Sequence, residues 1–312
     1  MRRLLFLFLI VCLTISTTYL GVGCRDYFPR DYVDTLGRVV SLDTAPDHIV
    51  SLSPSYTEIL FALGLGDKVV GRTDVCDYPE EAKEKDIVAT SSTVDIERIA
   101  VKSPDLILTT SAHEKEVIPT LEEMGLVAVA LPDATFDNLI DSIRVIGSLT
   151  GERQKADNLV YKVGSRIKGI TSKIGSLPDD ERPRTFYVVS RDPLLTAGTG
   201  SIVDELIGLA GGINIAHDVS DEGLINIEEV VKRDPETIIA GTGYGVGGDA
   251  LLWWAKRNYD LGDTAARMNQ SVFEVDANLV SRSGPCVVEG LEWMAHLLHP
   301  SLFTQPQSEV TA

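Results

Sequence analysis

The most recognisable chemical spacing in the chain is the glycine-rich run Gly243-Tyr244-Gly245-Val246-Gly247-Gly248. It fits G-x-G-x-x-G, whose backbone amides bind a pyrophosphate when the run joins a strand to a helix. An apolar run at 237–240 precedes it, so a dinucleotide-dependent oxidoreductase using Gly243, Gly245 and Gly248 is one alternative. That site needs an acid about 20 residues further on. Asp276 lies 28 residues beyond Gly248, which argues against this alternative.

The histidines and cysteines give little support for a metal site or a catalytic nucleophile. Capture of a free metal ion requires several histidines and a carboxylate facing one site, but the five histidines are dispersed and only His113 falls near a predicted strand end. Cys76 and Cys286 have no identifiable histidine partner, and G-x-S-x-G is absent from the sequence. We therefore expect no metal site, no catalytic residue and no enzyme. Spacing alone leaves a Cys76–Cys286 disulfide open, because it does not give the Cα separation.

The composition of the chain further limits the functions and the domain organisation that can be expected. Forty-six acidic residues against 28 basic ones give a net charge of −18, which repels a phosphate backbone and excludes nucleic acid as the expected partner. The 44% hydrophobic content is that of a folded protein, and 312 residues are roughly twice a typical domain of about 150. The chain is therefore expected to form two lobes.

The N-terminal segment reads as an export signal rather than as part of the fold. Arg2 and Arg3 precede an apolar run at 4–15 that is short for a membrane span. The small residues before Cys24 are similar to a bacterial lipoprotein signal, in which the cysteine becomes the lipidated first residue. We therefore predict a signal peptide at 1–23, an extracytoplasmic protein and a membrane anchor at Cys24. The alternative is plain secretion with Cys24 removed.

Hydrophobic patterning predicts a lobe on either side of one long helix. Apolar runs at 48–53, 68–71, 105–109 and 126–131 alternate with helical patterns at 57–63 and 114–124, which is typical of a parallel sheet covered by helices. An N-terminal α/β lobe is assigned to 24–150, the joining helix to 151–178 and a C-terminal α/β lobe to 179–312. The helix is predicted from apolar residues every three or four positions, namely Ala156, Leu159, Val160, Val163, Ile167, Ile170 and Ile174.

An internal repeat relates the two lobes. The run 96–99 leads to Pro104 and an apolar strand, and the run 227–230 leads in the same way to Pro235, at a constant offset of 131 residues. In both copies a glutamate opens a short helix, Glu97 in the first and Glu228 in the second. Two similar α/β lobes leave a cleft at the carboxyl ends of their strands, where such sheets bind ligands.

The chain resembles the substrate-binding proteins of ABC importers for cobalamin and iron-siderophore complexes, the cobalamin branch in particular. The resemblance covers nearly all of the chain after the signal. It is carried by His48-Ile49-Val50-Ser51-Leu52-Ser53-Pro54, Thr57-Glu58-Ile59-Leu60, Asp77-Tyr78-Pro79, Ile96-Glu97-Arg98-Ile99, Pro104-Asp105-Leu106, Leu195-Thr196-Ala197-Gly198, Gly211-Gly212-Ile213-Asn214-Ile215 and Arg282-Ser283-Gly284-Pro285. It implies two Rossmann-like lobes joined by a single rigid helix.

The resemblance also implies a function and partners. A monomer would deliver its ligand to an ABC permease dimer, and the matching acids Glu97 and Glu228 would pair with arginines on the two permease subunits. Charge-assisted pairs to arginine suit such docking. The other interpretation is that each glutamate stabilises the first turn of its helix through the dipole. The transported cargo, rather than a cofactor, would be cobalamin or a related corrinoid.

The ligand contacts follow the resemblance less well. Cobalamin binders of this family hold the corrin between aromatic side chains, but the matching positions here are Val75, Ser91, Thr110, Val189 and Glu222. A ferric siderophore or haem therefore remains an alternative ligand. The residues predicted to contact the ligand are Ser55, Tyr56, Val75, Ser91, Thr110, Arg191, Tyr244 and Arg282.

Overall fold

The computed structural model describes residues 31–90, 92–132, 136–243 and 250–306. The described residues begin with a hairpin of β1 (Asp31–Val33) and β2 (Val39–Ser41), called here the entry hairpin. A parallel sheet follows, built from β3 (Ile49–Ser51), β4 (Val69–Thr73), β5 (Ile87–Ala89), β6 (Leu106–Thr110) and β7 (Ala128–Leu131) in the order β5-β4-β3-β6-β7. Its helices are α1 (Pro54–Ala62), α2 (Ile96–Val101) and α3 (Val117–Glu123), with 3₁₀ turns at Gly66–Lys68, Glu80–Glu84 and Ser111–His113.

Two consecutive helices connect this sheet to the rest of the chain. The first, α4 (Phe136–Thr150), packs along the second, α5 (Arg153–Ile174), and a Cβ at Gly147 would overlap that of Ala156. The absence of a side chain at Gly147 is therefore what allows the two helices to approach. The 22-residue α5 is the predicted long helix, and at 1.5 Å per residue it is about 33 Å long. No helix in the described part of the chain is both long enough and apolar enough to cross a bilayer.

A second parallel sheet follows α5 and the 3₁₀ turn Asp179–Glu181. Its strands are β8 (Arg184–Val188), β11 (Ile213–Asn214), β13 (Thr237–Thr242) and β14 (Val272–Asp276), in the order β11-β8-β13-β14. A small antiparallel sheet is formed by β9 (Ser190–Arg191), β10 (Leu194–Ala197) and β12 (Glu222–Leu224). The helices are α6 (Ile202–Leu209), α7 (Ile227–Arg233), α8 (Ala250–Arg257), α9 (Ala265–Met268), α10 (Ala277–Val280) and α11 (Val287–Leu298).

The two sheets share one topology. The order β4-β3-β6-β7 in the first matches β11-β8-β13-β14 in the second, and β6 and β13 begin 131 residues apart. The short helix before each of those strands, α2 and α7, is therefore equivalent as well. Two parallel α/β sheets joined by one long helix confirm the predicted fold class, and no continuous sheet runs through the described residues.

Alternation along the strands divides the core. Ile49, Leu106 and Leu108 of the first sheet face a large apolar cluster, whereas Val50 and Ile107 face a smaller one under α2 and α3. In the second sheet Tyr187 and Ile239 face that same large cluster, and their neighbours Phe186 and Ile238 pack outward under α7 and α8. Buried residues of α5 and α11 complete the large cluster. One hydrophobic core is thus common to both lobes.

The entry hairpin is attached to the first sheet by a buried carboxylate. Asp34 accepts hydrogen bonds from the backbone amides of Leu36, Arg38 and Ala130 at 3.0, 3.0 and 3.2 Å, and it is ion-paired with the Arg38 guanidinium. Burial opposes ionisation of Asp34, but the hydrogen bonds from Arg38 and Ala130 outweigh it and hold the pKa below its ordinary value. The bonds to Arg38 and Ala130 therefore depend on an ionised side chain.

We expect Asp34→Asn to lower the free energy of unfolding by about 2–3 kcal/mol, because Arg38 loses its buried counter-charge. Urea unfolding at pH 7 measures this. Since the folded-state pKa is depressed, the contribution of Asp34 is present at neutral pH and is lost as the pH falls below about 4. Asp43→Asn, at an exposed aspartate, is the matched control. Equal stability of the two variants at pH 7 would contradict the assignment.

Candidate functional site

The carboxyl ends of the two sheets meet across a polar contact. Asp77, in the turn after β4, lies 2.6 Å from the Arg282 guanidinium, which follows α10 in the second lobe. Glu58 of α1 reaches the same place, and its Oε2 accepts a hydrogen bond from the Cys286 amide at 3.4 Å. This contact is called here the lobe seam and comprises Glu58, Asp77, Asn278, Arg282, Gly284 and Cys286. The turn after β4 and the segment that follows α10 therefore come together across the two lobes.

Arg282 is held on both sides of the seam. It is 3% exposed, and its Nη2 donates to Asn278 Oδ1 at 2.7 Å in addition to its ion pair with Asp77. Bonds in which one partner is charged are worth about 1.5–3 kcal/mol each when desolvated. Arg282 thus links the two lobes in this structure. The prediction that it contacts a ligand stays a prediction, and such a contact would have to compete with Asp77.

Glu58 is the most enclosed acid of the seam. It is 3% exposed, and burial raises its pKa to about 7, although a hydrogen bond from the Cys286 thiol and the charge of Arg282 act in the opposite direction. A Cβ at Gly284 would overlap the Glu58 carboxylate. Only a residue without a side chain therefore lets the second lobe approach α1 so closely.

Cys76 and Cys286, the two cysteines within the described residues, are free thiols at the seam. Cys76 Sγ lies 3.0 Å from Thr73 Oγ1, and burial raises the pKa of its thiol. Burial, reinforced by the charge of Glu58, also raises the pKa of the Cys286 thiol. The thiolate is the reactive form of cysteine, so both side chains are protonated and inert at neutral pH.

Besides Arg282, the structure describes five of the predicted ligand residues, each at or shortly after the end of a strand. Val75 and Thr110 are half-buried beyond β4 and at the end of β6, and Arg191 is exposed at the end of β9. Ser55 and Tyr56 occupy the first turn of α1, at 3% and 1% exposure. The Tyr56 hydroxyl donates to the Pro132 carbonyl at 2.6 Å, so its ring is part of the shared core here. These five contacts remain predictions.

Several predicted positions lie outside the described residues. They are Cys24, Ser91, Tyr244, Gly245 and Gly248. Gly243 is described and has a φ of +85°, and a Cβ there would lie 3.1 Å from Asp276 Oδ1. A positive φ of this size strains most side chains. Gly243 is therefore explained by the turn after β13 without a bound phosphate.

Three of the described histidines are engaged in hydrogen bonds within the protein. His113 Nδ1 lies 2.6 Å from Thr109 Oγ1, and burial lowers the pKa of its ring. His296 and His299 bond the carbonyls of Phe303 and Gly211 at 2.9 and 3.2 Å. Within residues 31–306, apart from the gaps given above, no group of three histidine, cysteine or acidic side chains is placed to hold a metal ion.

Glu97 and Glu228 occupy equivalent places on the two lobes. Each is exposed in the first turn of its helix, α2 or α7. The N-cap Asp95 accepts from the Arg98 amide at 2.9 Å, and the N-cap Asn226 accepts from the Glu228 amide at 2.9 Å. Neither glutamate forms an ion pair with another described residue. Both carboxylates therefore point to solvent, available to a partner.

A groove of about 670 Å³ lies beside the seam, between α1, α5 and the start of α11. Its walls include Glu58, Tyr78, Lys162, Arg166 and Glu289, whereas none of the six predicted ligand residues that the structure describes lines it. Sequence reasoning did not single out this groove, Glu58 or Asp77 as functional features. Glu58 and Asp77 stood in quoted motifs, but their contacts are made to residues more than 200 positions away.

Two α/β lobes on one long helix, meeting at the carboxyl ends of their strands, define a two-lobe binding protein. The chain belongs to the periplasmic binding protein family, whose model matches residues 49–276. This family comprises solute-binding proteins that carry a transported ligand rather than a cofactor. Its membership confirms the family predicted from sequence and the prediction that the chain is not an enzyme, and it overturns the oxidoreductase alternative.

Similar proteins include an uncharacterised ABC transporter substrate-binding lipoprotein, YvrC of Bacillus subtilis, with 34% identity over 90% of this chain and 88% of that protein. A vitamin B12-binding protein of Vibrio cholerae is 27% identical over 79% of this chain and 87% of its own length. The crystal structure of BtuF, the periplasmic vitamin B12-binding protein of Vibrio cholerae, matches with a TM-score of 0.70 at 26% identity, covering 82% of this chain and 98% of that one.

A second solved structure, from Staphylococcus epidermidis, is described as a possible iron-binding periplasmic solute-binding protein. It matches with a TM-score of 0.69 at 27% identity, over 82% of this chain and all of that one. Relatives of similar identity thus carry different ligand descriptions. What these comparisons support together is a periplasmic binding protein of an ABC importer.

Proposed function

We propose that this protein captures cobalamin or a related corrinoid between its two lobes and delivers it to an ABC permease. The observation that carries the proposal is the resemblance to vitamin B12-binding relatives over most of the chain, at 27% identity over 79% of its length. A cobalamin-binding protein of Halobacterium salinarum is also 27% identical, over 87% of this chain. The loops at the carboxyl ends of β4, β6 and β8 provide the walls of the cleft.

Haem or a ferric siderophore is the second candidate ligand. The described cleft positions Val75 and Thr110 carry no aromatic ring with which to hold a corrin, and the Staphylococcus epidermidis relative is described as possibly iron-binding. Both ligand classes are large metal chelates. They would use the same cleft, so this candidate changes the cargo and leaves the transport role unchanged.

We further propose a lipid anchor at Cys24 and docking through Glu97 and Glu228. The B. subtilis relative is named a lipoprotein, in agreement with the signal pattern of residues 1–23. The two glutamates are exposed, equivalent by topology and placed one on each lobe. A partner with two related subunits can therefore contact both at once.

Calorimetric titration of the chain lacking residues 1–23 tests the ligand class. We expect saturable one-to-one binding of cyanocobalamin, and binding of haemin and a ferric siderophore at least about tenfold weaker, a difference of about 1.4 kcal/mol. Saturation by haemin or the siderophore, with no heat from any corrinoid, would instead establish the second candidate. Failure of all three probes would contradict both.

A pair of valine variants tests the place of binding. Val75→Asp puts a charge on a half-buried cleft wall, and we expect it to weaken ligand binding about tenfold or more, because the acid must be desolvated by the ligand. Val39→Asp makes the same change at a valine that is 66% exposed on the entry hairpin, and its affinity should match the wild type. Equal affinities for the two variants would remove Val75 from the cleft.

A further inference from the structure

The lobe seam contains two carboxyl groups and one guanidinium, whose charges do not cancel when both acids are ionised. Asp77 and Arg282 form an ion pair at 2.6 Å. Glu58 is a second acid at the same place, and Arg282 is already shared with Asp77 and Asn278. The seam is therefore neutral when Glu58 is protonated and carries one uncompensated negative charge when Glu58 is ionised. Keeping such a charge away from water is unfavourable.

The contacts of Glu58 cross from one lobe to the other. Its Oε2 accepts from the Cys286 amide at 3.4 Å and lies against Gly284, both in the second lobe. Its Oε1 has no hydrogen-bond partner among the described residues. A buried carboxylate oxygen without a donor is costly when the group is ionised, and protonation removes that charge. The protonated form therefore fits the closed seam better than the ionised form does.

The charged and titratable groups around Glu58 come from every element packed against it. They are Asp77 and Tyr78 after β4, Arg282 after α10, Cys286 and Glu289 at the start of α11, and Lys162 and Arg166 on α5 across the groove. Arg166 is bonded at 2.8 Å through both Nε and Nη2 to Glu292. Burial of Glu58 exceeds the attraction of Arg282, which places the pKa of its carboxyl near 7.

We propose that the lobe seam is proton-sensitive: protonated Glu58 keeps the seam closed, and loss of its proton opens the seam to water from the adjoining groove. The groove of about 670 Å³ reaches the Glu58 side chain and supplies the route for water and protons. The proposal does not depend on which ligand the cleft binds. Glu58 can control the seam because its side chain, on the first lobe, contacts residues of the second lobe.

The direction of the pH dependence follows from the raised pKa. The contribution of protonated Glu58 to closure is complete below its ordinary pKa of 4.5 and is lost as the pH rises through about 7. Over that interval the ratio of open to closed molecules rises by up to about tenfold per pH unit. Above pH 8 no further change from Glu58 is expected.

Distances between spin labels on the two lobes, measured by double electron–electron resonance from pH 5 to pH 8, test the proposal. The labels are placed on cysteines introduced by Val101→Cys and Tyr259→Cys, at positions 82% and 94% exposed. We expect the distance distribution to shift toward a more open form with a midpoint between pH 5 and pH 7.5. The chain without these substitutions gives the background labelling of the native cysteines, Cys24, Cys76 and Cys286.

Three variants decide the assignment. Glu58→Gln should keep the closed distance at every pH, whereas Glu81→Gln, an exposed acid at the rim of the groove, should follow the wild type. Asp77→Asn leaves Arg282 available to Glu58, so the midpoint should move to lower pH. An unchanged wild-type distance, a Glu58→Gln response equal to wild type, or an unmoved Asp77→Asn midpoint would each overturn the proposal. The Asp77→Asn result decides alone if Glu58→Gln does not fold.

Discussion

Replacing both Glu97 and Glu228 by alanine is expected to abolish import while leaving ligand affinity unchanged. Each carboxylate is exposed at the start of a short helix, and both helices precede equivalent strands of the two sheets. A charge-assisted bond to arginine is worth about 1.5–3 kcal/mol. One substitution should therefore reduce transport about tenfold, and the double variant at least about a hundredfold at a limiting concentration of the binding protein.

Uptake of labelled ligand by reconstituted permease, together with a calorimetric titration of each variant, measures both halves of this prediction. Glu123→Ala combined with Glu274→Ala removes the same charge from other exposed sites on the two lobes and should transport normally. The effect of the wild-type acids should also weaken with added salt, because exposed charges are screened. Normal transport by the Glu97/Glu228 double variant, or loss of its ligand affinity, would refute the docking role.

Gly284→Ala is expected to destabilise the protein and to separate the lobes. The added methyl group would overlap the buried Glu58 carboxylate, which cannot withdraw because α1 is packed in the shared core. Overpacking of this kind costs about 1–3 kcal/mol. Thermal and urea unfolding measure the loss, and the inter-lobe label distance should increase at all pH values.

The control for this prediction is Gly164→Ala in α5. Nothing lies within 4 Å of a Cβ at Gly164, and alanine favours a helix interior over glycine by about 1 kcal/mol. The control should therefore raise stability while Gly284→Ala lowers it. A Gly284→Ala protein as stable as wild type would show that the two lobes do not pack as closely as described.

Local patterns were sufficient to predict much of the fold. The helix α5 was predicted from its apolar spacing, and the repeat at an offset of 131 residues is seen again in the equivalence of β6 with β13. The helix predicted at 57–63 in fact begins at Pro54, because proline suits the first helical position. The helix α4 was missed, although Leu139, Ile143, Ile146 and Leu149 recur at helical spacing and are all buried.

The candidate site was less predictable because its contacts join distant parts of the chain. Nothing in the residues around Arg282 indicates that Asp77, 205 positions earlier, will pair with it, and the same holds for Glu58 and Gly284. The small antiparallel sheet of β9, β10 and β12 depends equally on pairing between separated segments. The exposure of Glu97 and Glu228, by contrast, could be predicted, because the repeat already placed both residues in the first turn of a short amphipathic helix.

The large apolar cluster that extends from Ile49 through α5 to Leu298 has a consequence for how the molecule denatures. We expect neither half to fold alone, because dividing the chain at α5 would expose buried leucine and isoleucine side chains on both fragments. Heat or urea should therefore melt the molecule in one cooperative step rather than half by half. A fragment containing either half alone should expose a large hydrophobic surface and aggregate.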